Sequence, residues 1–353
     1  MTTERVETRR CILARGSAVL GLVAAAGLFL GGFALSPAQA EEADMARAKE
    51  EGTVVWYTST PIEQANKLAR LFEEETGIKV ELFRSGGSAI LRRFHQEQSA
   101  GRVAADVLTT SDPAASNVMA EKGMFVPFKP ADFDKIPEQA KDPDGNWIGQ
   151  RLNLITIYMR GDKVAEAERP QKWTDLTDSK YAGQLVMTDP SFTSLQLSVV
   201  GTLSQKLGWD YYKKLADNDI MIVQGNQQVS DNLKRGERLI AVGALDSYAA
   251  ADRNSGHDIV TVYPKDGTFV IPSPTAVVKG SPHPNAAKAF AAFMISPKAQ
   301  QVFPADGGYS ARTDIAPPEG GPKVTELTII PVDYAGLEKQ ASKIKDSFND
   351  IFR

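Results

Sequence analysis

The sequence predicts an α/β fold of two lobes joined by two extended crossings. Three observations carry that reading. A strand–helix rhythm opens at "GTVVWYTS" (52–59), and a second run of the same kind starts at "GQLVMTD" (183–189). Between and after the runs lie two long extended segments, "RLNLITIYMR" (151–160) and "GTFVIPSPTAVVKG" (267–280). Strands alternating with helices imply a mostly parallel sheet with helices on both faces. A chain that crosses once in each direction starts in lobe one, enters lobe two and returns.

Each element follows from local chemistry. "GTVVWYTS" is β-branched and aromatic, as a buried strand is. Pro61 suits the first turn of a helix, Ile62, Ala65, Leu68, Ala69 and Phe72 recur at helical spacing, and Gly77 closes it. "IKVELF" (78–83) alternates as a second strand. A helix follows with Ile90, Leu91 and Phe94 on one face, then a strand around "ADVLTT" (105–110). Asp112-Pro113 opens another helix that ends near Gly123. In the second run "SFTSLQLSVVGTLSQKL" (191–207) is a helix stopped by Gly208. Tyr211-Tyr212 sits on an amphipathic helix, and "RLIAVGALDS" (238–247) and "DIVTVYP" (258–264) are strands. "NAAKAFAAFMI" and "PKAQQVF" add two helices near the end. The expected division is 41–155 with 275–353 as lobe one, and 156–274 as lobe two.

Residues 1–40 read as an export signal removed after Ala40. Arg9-Arg10 is a twin-arginine start, Gly16 to Leu35 is almost wholly apolar, and "SPAQA" ends in a small-residue cleavage pattern. A retained membrane anchor is the competing reading, since the apolar run is nearly long enough to span a bilayer. Cleavage places the remaining chain in the periplasm. Its one cysteine, Cys11, leaves with the signal, which excludes disulfides, a thiolate nucleophile and cysteine metal sites in the mature protein. The whole chain carries a formal net charge of −4, giving no support to nucleic-acid or membrane-surface binding.

The stretch "FRSGGSAIL" (83–91) has the look of an anion cradle. No enzyme motif accompanies it. There is no P-loop, no G-x-G-x-x-G, no G-x-S-x-G and no H-E-x-x-H. His95, His257 and His283 are scattered in polar segments. What remains is a set of polar loops between strands and helices: Ser59-Thr60, Ser85-Gly86-Gly87-Ser88 and Thr110-Ser111-Asp112 in the first run. The second run adds Ser191, Thr193 and Ser194, then Asp246 and Tyr248. In open α/β sheets such loops sit at the carboxyl ends of strands, where ligands bind. Helix N-termini there offer unpaired amides and partial positive charge. Ser, Thr and Asp are also ordinary N-caps, which is the competing reading for each, and for Asp112 in particular. Arg84, Arg92 and Arg93 add charge nearby, the last two on a solvated helix face; Trp56 and Tyr57 either wall the pocket or belong to the core.

The stretch from "TVVWYTSTPIEQ" to "AADVLTTSD" resembles the opening of periplasmic solute-binding proteins of the iron(III), phosphonate and phosphosugar ABC importers. "ASNVMAEKGMFVPF", "WTDL" at 173–176, "KYAGQLVMTDPS" and "HPNAAKAFAAFMISPKAQQVF" continue the likeness over essentially the whole chain after the signal. The resemblance implies a two-lobed type II (Venus-flytrap) clamp with two hinge crossings. It implies a binding protein rather than an enzyme, monomeric and without cofactor, that hands one small ligand to a membrane permease. The ferric branch uses adjacent tyrosines in the second lobe. Here "GALDSYAAADR" puts Asp246-Ser247 near that place with only Tyr248 beside them. The reading is therefore a small organic anion, a phosphonate, phosphate ester or carboxylate, with Asp246 holding an ammonium or hydroxyl at its other end. A ferric receptor and a periplasmic hydrolase are the alternatives.

Overall fold

The computed structural model describes residues 42–353. The expected export signal, its twin arginines and its cleavage position lie outside the described residues. Among the described residues no helix is long and apolar enough to cross a membrane.

A short helix α1 (Met45–Glu51) leads into the first lobe. Strand β1 (Thr53–Thr58), helix α2 (Ile62–Thr76), strand β2 (Lys79–Arg84), helix α3 (Gly87–Ser99), strand β3 (Val107–Thr109) and helix α4 (Pro113–Glu121) follow the predicted rhythm. Helix α2 buries Ala65, Leu68 and Phe72, and Gly77 ends it in the left-handed conformation, its N–H bonded to Glu73 O. After the short β4 (Phe125–Val126), strand β5 (Ile148–Arg160) crosses to the second lobe. There β6 (Leu185–Thr188), α5 (Ser194–Leu207), α6 (Trp209–Asp217), β7 (Met221–Val223), α7 (Asn226–Arg235), β8 (Ile240–Leu245), α8 (Asp246–Asn254) and β9 (Ile259–Val262) repeat the pattern. Strand β10 (Phe269–Val278) returns to helices α9 (Pro284–Met294), α10 (Pro297–Gln300) and α11 (Val302–Ala305), strand β11 (Tyr309–Ser310) and helix α12 (Tyr334–Phe352).

The sheet is continuous and mixed rather than mostly parallel, in the order β2-β1-β3-β10-β5-β8-β6-β7. Two parallel triplets, β2-β1-β3 and β8-β6-β7, flank the antiparallel pair β10-β5. Both crossings are thus adjacent strands of one sheet. Their register slips between Pro272 and Pro274, where Pro cannot complete the ladder. This irregularity marks the passage from β3-side pairing to β8-side pairing.

Each lobe has its own core. In the first, Trp56 and Phe72 both meet Phe290 edge-on, with centroids 5.1 and 5.0 Å away. Trp56 and Tyr57 are therefore core residues, not pocket walls. In the second, Met187, Val199, Leu203, Tyr212 and Ile240 pack together. Leu337, Ile344 and Phe348 of α12 join that second core. Within segment 275–353, expected as a whole in lobe one, the last helix packs on α5 and α6 of the second lobe and also on α4 of the first. Gly201 permits this, because a Cβ there would lie 2.4 Å from Leu337 Cδ2. On α6 the rings of Tyr211 and Tyr212 are buried against each other, and neither lines the cleft described below.

Candidate functional site

A cleft of about 870 Å³ opens between the lobes, within the size range of small-molecule sites. Ser59, Arg84, Gly86 and Ser111 face it from the first lobe; Thr193, Ser194, Ser247 and Tyr248 face it from the second. Arg151, on the crossing strand β5, lies at the junction of the two walls.

Arg151 sets the chemistry. Only 5 % of its surface is exposed, yet neither it nor Arg84 has an ion-pair partner among the described residues. Its Nη2 reaches Ser111 Oγ at 3.4 Å, and its Nε is buried with no partner. Burial pushes the guanidinium down to about 10, with Arg84 pushing the same way and Tyr248 opposing. Arginine is almost never buried without a counter-charge. The downward push therefore reads as a cation waiting for an anion rather than as a neutral side chain. Ser111 Oγ is also 2.9 Å from Ser273 Oγ, which accepts from Asn153 Nδ2 at 2.9 Å. This chain of hydroxyl and amide groups ties the guanidinium to both crossing strands.

Helix ends add to the positive potential. Among the described residues, α2, α3, α5, α7 and α8 begin on the cleft wall, and no side chain caps any of them. Several helices away from it are held at their starts by side chains, although α6 and α11 are not. Asp44, Ser296 and Asp333 cap α1, α10 and α12, and Glu51 accepts from Asn285 and Ala286 amides at the start of α9. Uncapped N-termini facing one space form an anion-binding surface.

The sequence-predicted residues divide between wall and scaffold. Ser59, Gly86, Gly87, Ser111, Thr193, Ser194 and Tyr248 line the cleft, and Ser59 Oγ has no partner. Thr60 does not line it: its hydroxyl bonds Thr58 and its carbonyl accepts from Arg84 Nε. Thr110 is buried, and its amide bonds Pro274 O. Asp112 caps α4 through Ala115 N at 3.0 Å, as the competing reading held. Ser85, Ser88 and Ser191 are half-buried and do not line the cleft, and the Ser191 N–H donates to Asp189 Oδ1. Asp246 is the clearest correction. It does not line the cleft but is buried, with Oδ1 accepting from Thr261 at 3.1 Å and Oδ2 from Tyr263 at 2.7 Å, beside a small cavity it shares with Arg151 and Ser247.

The glycine pair also differs from a simple cradle. Gly86 and Gly87 need neither positive φ nor the absence of a Cβ, which would make only ordinary contacts. A Cβ on Gly86 would lie 3.7 Å from Phe192 O, and one on Gly87 3.4 Å from Ser194 Oγ. The first-lobe loop thus meets the second-lobe loop across the cleft. Arg93, expected on a solvated face, packs over the Tyr57 and Phe83 rings and pairs with Glu97.

Sequence reasoning missed Arg151. The signal was present: Arg151 opens the largely apolar crossing stretch "RLNLITIYMR" at the end away from Arg160, and a buried arginine there is out of place unless something charged meets it.

Comparison with known proteins defines the class. Residues 104–335 match the model of the family described as bacterial extracellular solute-binding protein, and the chain belongs to that family. Iron uptake protein A1 of Synechocystis sp. is 27% identical over 275 residues, covering 74% of this chain and 75% of the relative. The phosphoglycerate transport regulatory protein PgtC of Salmonella typhimurium is 30% identical over 138 residues, 38% of this chain and 34% of its own. Among solved structures, AfuA of Actinobacillus pleuropneumoniae with fructose-6-phosphate superposes with a TM-score of 0.76 at 21% identity, covering 85% of this chain and 98% of that one. Iron-bound HitA of Pseudomonas aeruginosa gives 0.74 at 21% identity, with 85% and 99% covered. The fold is that of type II periplasmic binding proteins.

Proposed function

We propose that this protein is the periplasmic receptor of an ABC importer. It binds its ligand without transforming it, acts as a monomer, and passes a small organic anion to a membrane permease. The observation that carries the anion is Arg151, a buried guanidinium with no carboxylate partner, facing the inter-lobe cleft beside Arg84. A phosphonate, phosphate ester or carboxylate head would meet Arg151, Arg84, Ser59 and Ser111, with the uncapped helix ends supplying amides. Asn226, Gln227, Asn254 and Ser255 on the second lobe offer hydrogen bonds to hydroxyl or amino groups at the other end, the part first assigned to Asp246.

The comparisons support a ferric receptor equally, since relatives include iron uptake protein A1 and a Fe(3+)-binding periplasmic protein of Serratia marcescens. The donor set favours the organic anion. Ferric ion calls for several anionic oxygen ligands, and among the described residues no three His, Cys, Asp or Glu side chains are grouped to hold a metal. A thermal-shift screen of the purified protein against phosphonates, sugar phosphates, dicarboxylates and ferric citrate separates the readings. An organic phosphate or carboxylate at 100 times its Kd adds about 2.7 kcal/mol of stability. Stabilisation by ferric ion alone, with none from any organic anion, would replace this reading with the ferric one.

A further inference from the structure

The second-lobe loop that faces the cleft is built around one buried carboxylate. Asp189 follows β6, is 2 % exposed, and donates its own amide to Val223 O at 2.8 Å. Its carbonyl accepts from Phe192 N and Thr193 N at 3.1 and 3.3 Å, and its Oδ1 accepts from Ser191 N at 2.6 Å. These bonds shape the turn that brings Phe192, Thr193 and Ser194 to the cleft wall. The same turn leaves the N-terminus of α5 facing the cleft without a side-chain cap. A carboxylate directly behind a surface suited to anions is self-defeating unless something balances it. Arg353, immediately after α12, does so: its Nη2 bonds Asp189 Oδ2. Asp189 has no other ion-pair partner among the described residues. Helix α12 holds that guanidinium in place by packing on α5 and α6 through Leu337, Ile344 and Phe348.

We propose that Arg353 is a positioning residue for anion binding. It neutralises Asp189 and fixes the Ser191–Ser194 turn, so that the α5 N-terminus meets the ligand's charge without opposition from the carboxylate behind it. The proposal rests on the anion reading above and deepens it. Removing Arg353 leaves a negative charge next to the site, and the loss should grow with the charge of the ligand.

Titration calorimetry at mildly alkaline pH with ethyl phosphate and ethanesulfonate, a dianion and a monoanion of similar size, tests it. Arg353→Gln is expected to weaken ethyl phosphate on the order of tenfold and ethanesulfonate less. Arg353→Lys should retain most of the affinity. Adding Asp189→Asn to Arg353→Gln should recover most of the loss, because no charge is left to balance and the amide oxygen still accepts from Ser191. If the pair served only to hold the fold, the double variant would bind no better than the single one, and the proposal would be overturned. Equal losses for both probes would overturn it as well. Hydrogen exchange on the ligand-free protein gives a separate arm. Amides of Ser191 to Leu195 should exchange faster in Arg353→Gln, and unchanged exchange would end the positioning role by itself. A wild-type protein that binds neither these probes nor any organic anion of the screen sinks the anion reading and the electrostatic role with it. The exchange result then still decides whether Arg353 shapes the turn.

Discussion

Arg151 is held where a charge is costly. Its nearest supports are the Ser111 hydroxyl and, beyond it, Ser273 and Asn153, all neutral. Replacing even a buried ion pair by apolar side chains of similar volume is often neutral or stabilising by about 1–4 kcal/mol, and an unpaired buried charge has no Coulombic attraction to lose. Arg151→Met should accordingly raise the thermal midpoint of the ligand-free protein, as measured by calorimetric melting. A fall in the midpoint would mean that the guanidinium is satisfied by the protein itself. Asp246 presents the opposite balance. Burial raises its carboxyl, while Tyr263 and Thr261 hold it partway down. A carboxyl raised in the folded state adds stability that is full below the unfolded carboxylate range and is lost as pH rises through the folded value. Asp246→Asn should therefore cost more stability at acid pH than at neutral pH. Denaturant titrations at both pH values, giving the reverse order, would contradict that environment.

Among the elements, the five helices that start on the cleft wall all lack a side-chain cap, whereas the start of α9 is held by one. Glu51 bonds the Asn285 amide at 3.2 Å, its Nδ2 at 2.6 Å and the Ala286 amide at 2.7 Å, so α9 is anchored on α1. Glu51→Ala should cost about 1–2 kcal/mol in urea unfolding and leave ligand affinity unchanged. A matching loss of affinity would place α9 in the binding machinery. Most elements were legible in the sequence because their signals are local. Pro61 and Gly77 bracket α2, Asp112-Pro113 opens α4, and the β-branched runs mark β1, β6 and β8. Helix α12 drew no such reading, and the lobe it joins depends on Gly201 meeting Leu337, a contact between residues far apart in sequence. The site was legible in part for the same reason. Loops ending strands could be named from the chain, but that Ser59 lines the cleft while Thr60 does not follows from hydrogen bonds that tie Thr60 to Thr58, Arg84 and Gln150. Asp246 was misjudged because its partners, Thr261 and Tyr263, lie on the next strand segment and say nothing at the level of motif.

At the scale of the molecule, the antiparallel pair β5-β10 is where the lobes join, with its register slip at Pro272 to Pro274. Closure would bend there, and it is driven by ligand contacts that exist only when both walls are engaged. Small-angle scattering should show a smaller radius of gyration at saturating ligand, and an unchanged profile would argue against a clamp. The loops of Gly86-Gly87 and Phe192–Ser194 already approach one another, so the expected change is modest. The class of protein follows from the fold and the family; the proposal of an organic anion rests on Arg151. Titration calorimetry of the best-stabilising organic anion into wild-type protein and Arg151→Met, both verified as folded by circular dichroism, tests that claim most directly. The account predicts that the variant, though at least as stable, loses 1.5–3 kcal/mol or more of binding, roughly the worth of a hydrogen bond to a charged group, or about ten- to a hundredfold in Kd. Wild-type affinity in a folded Arg151→Met protein would contradict it.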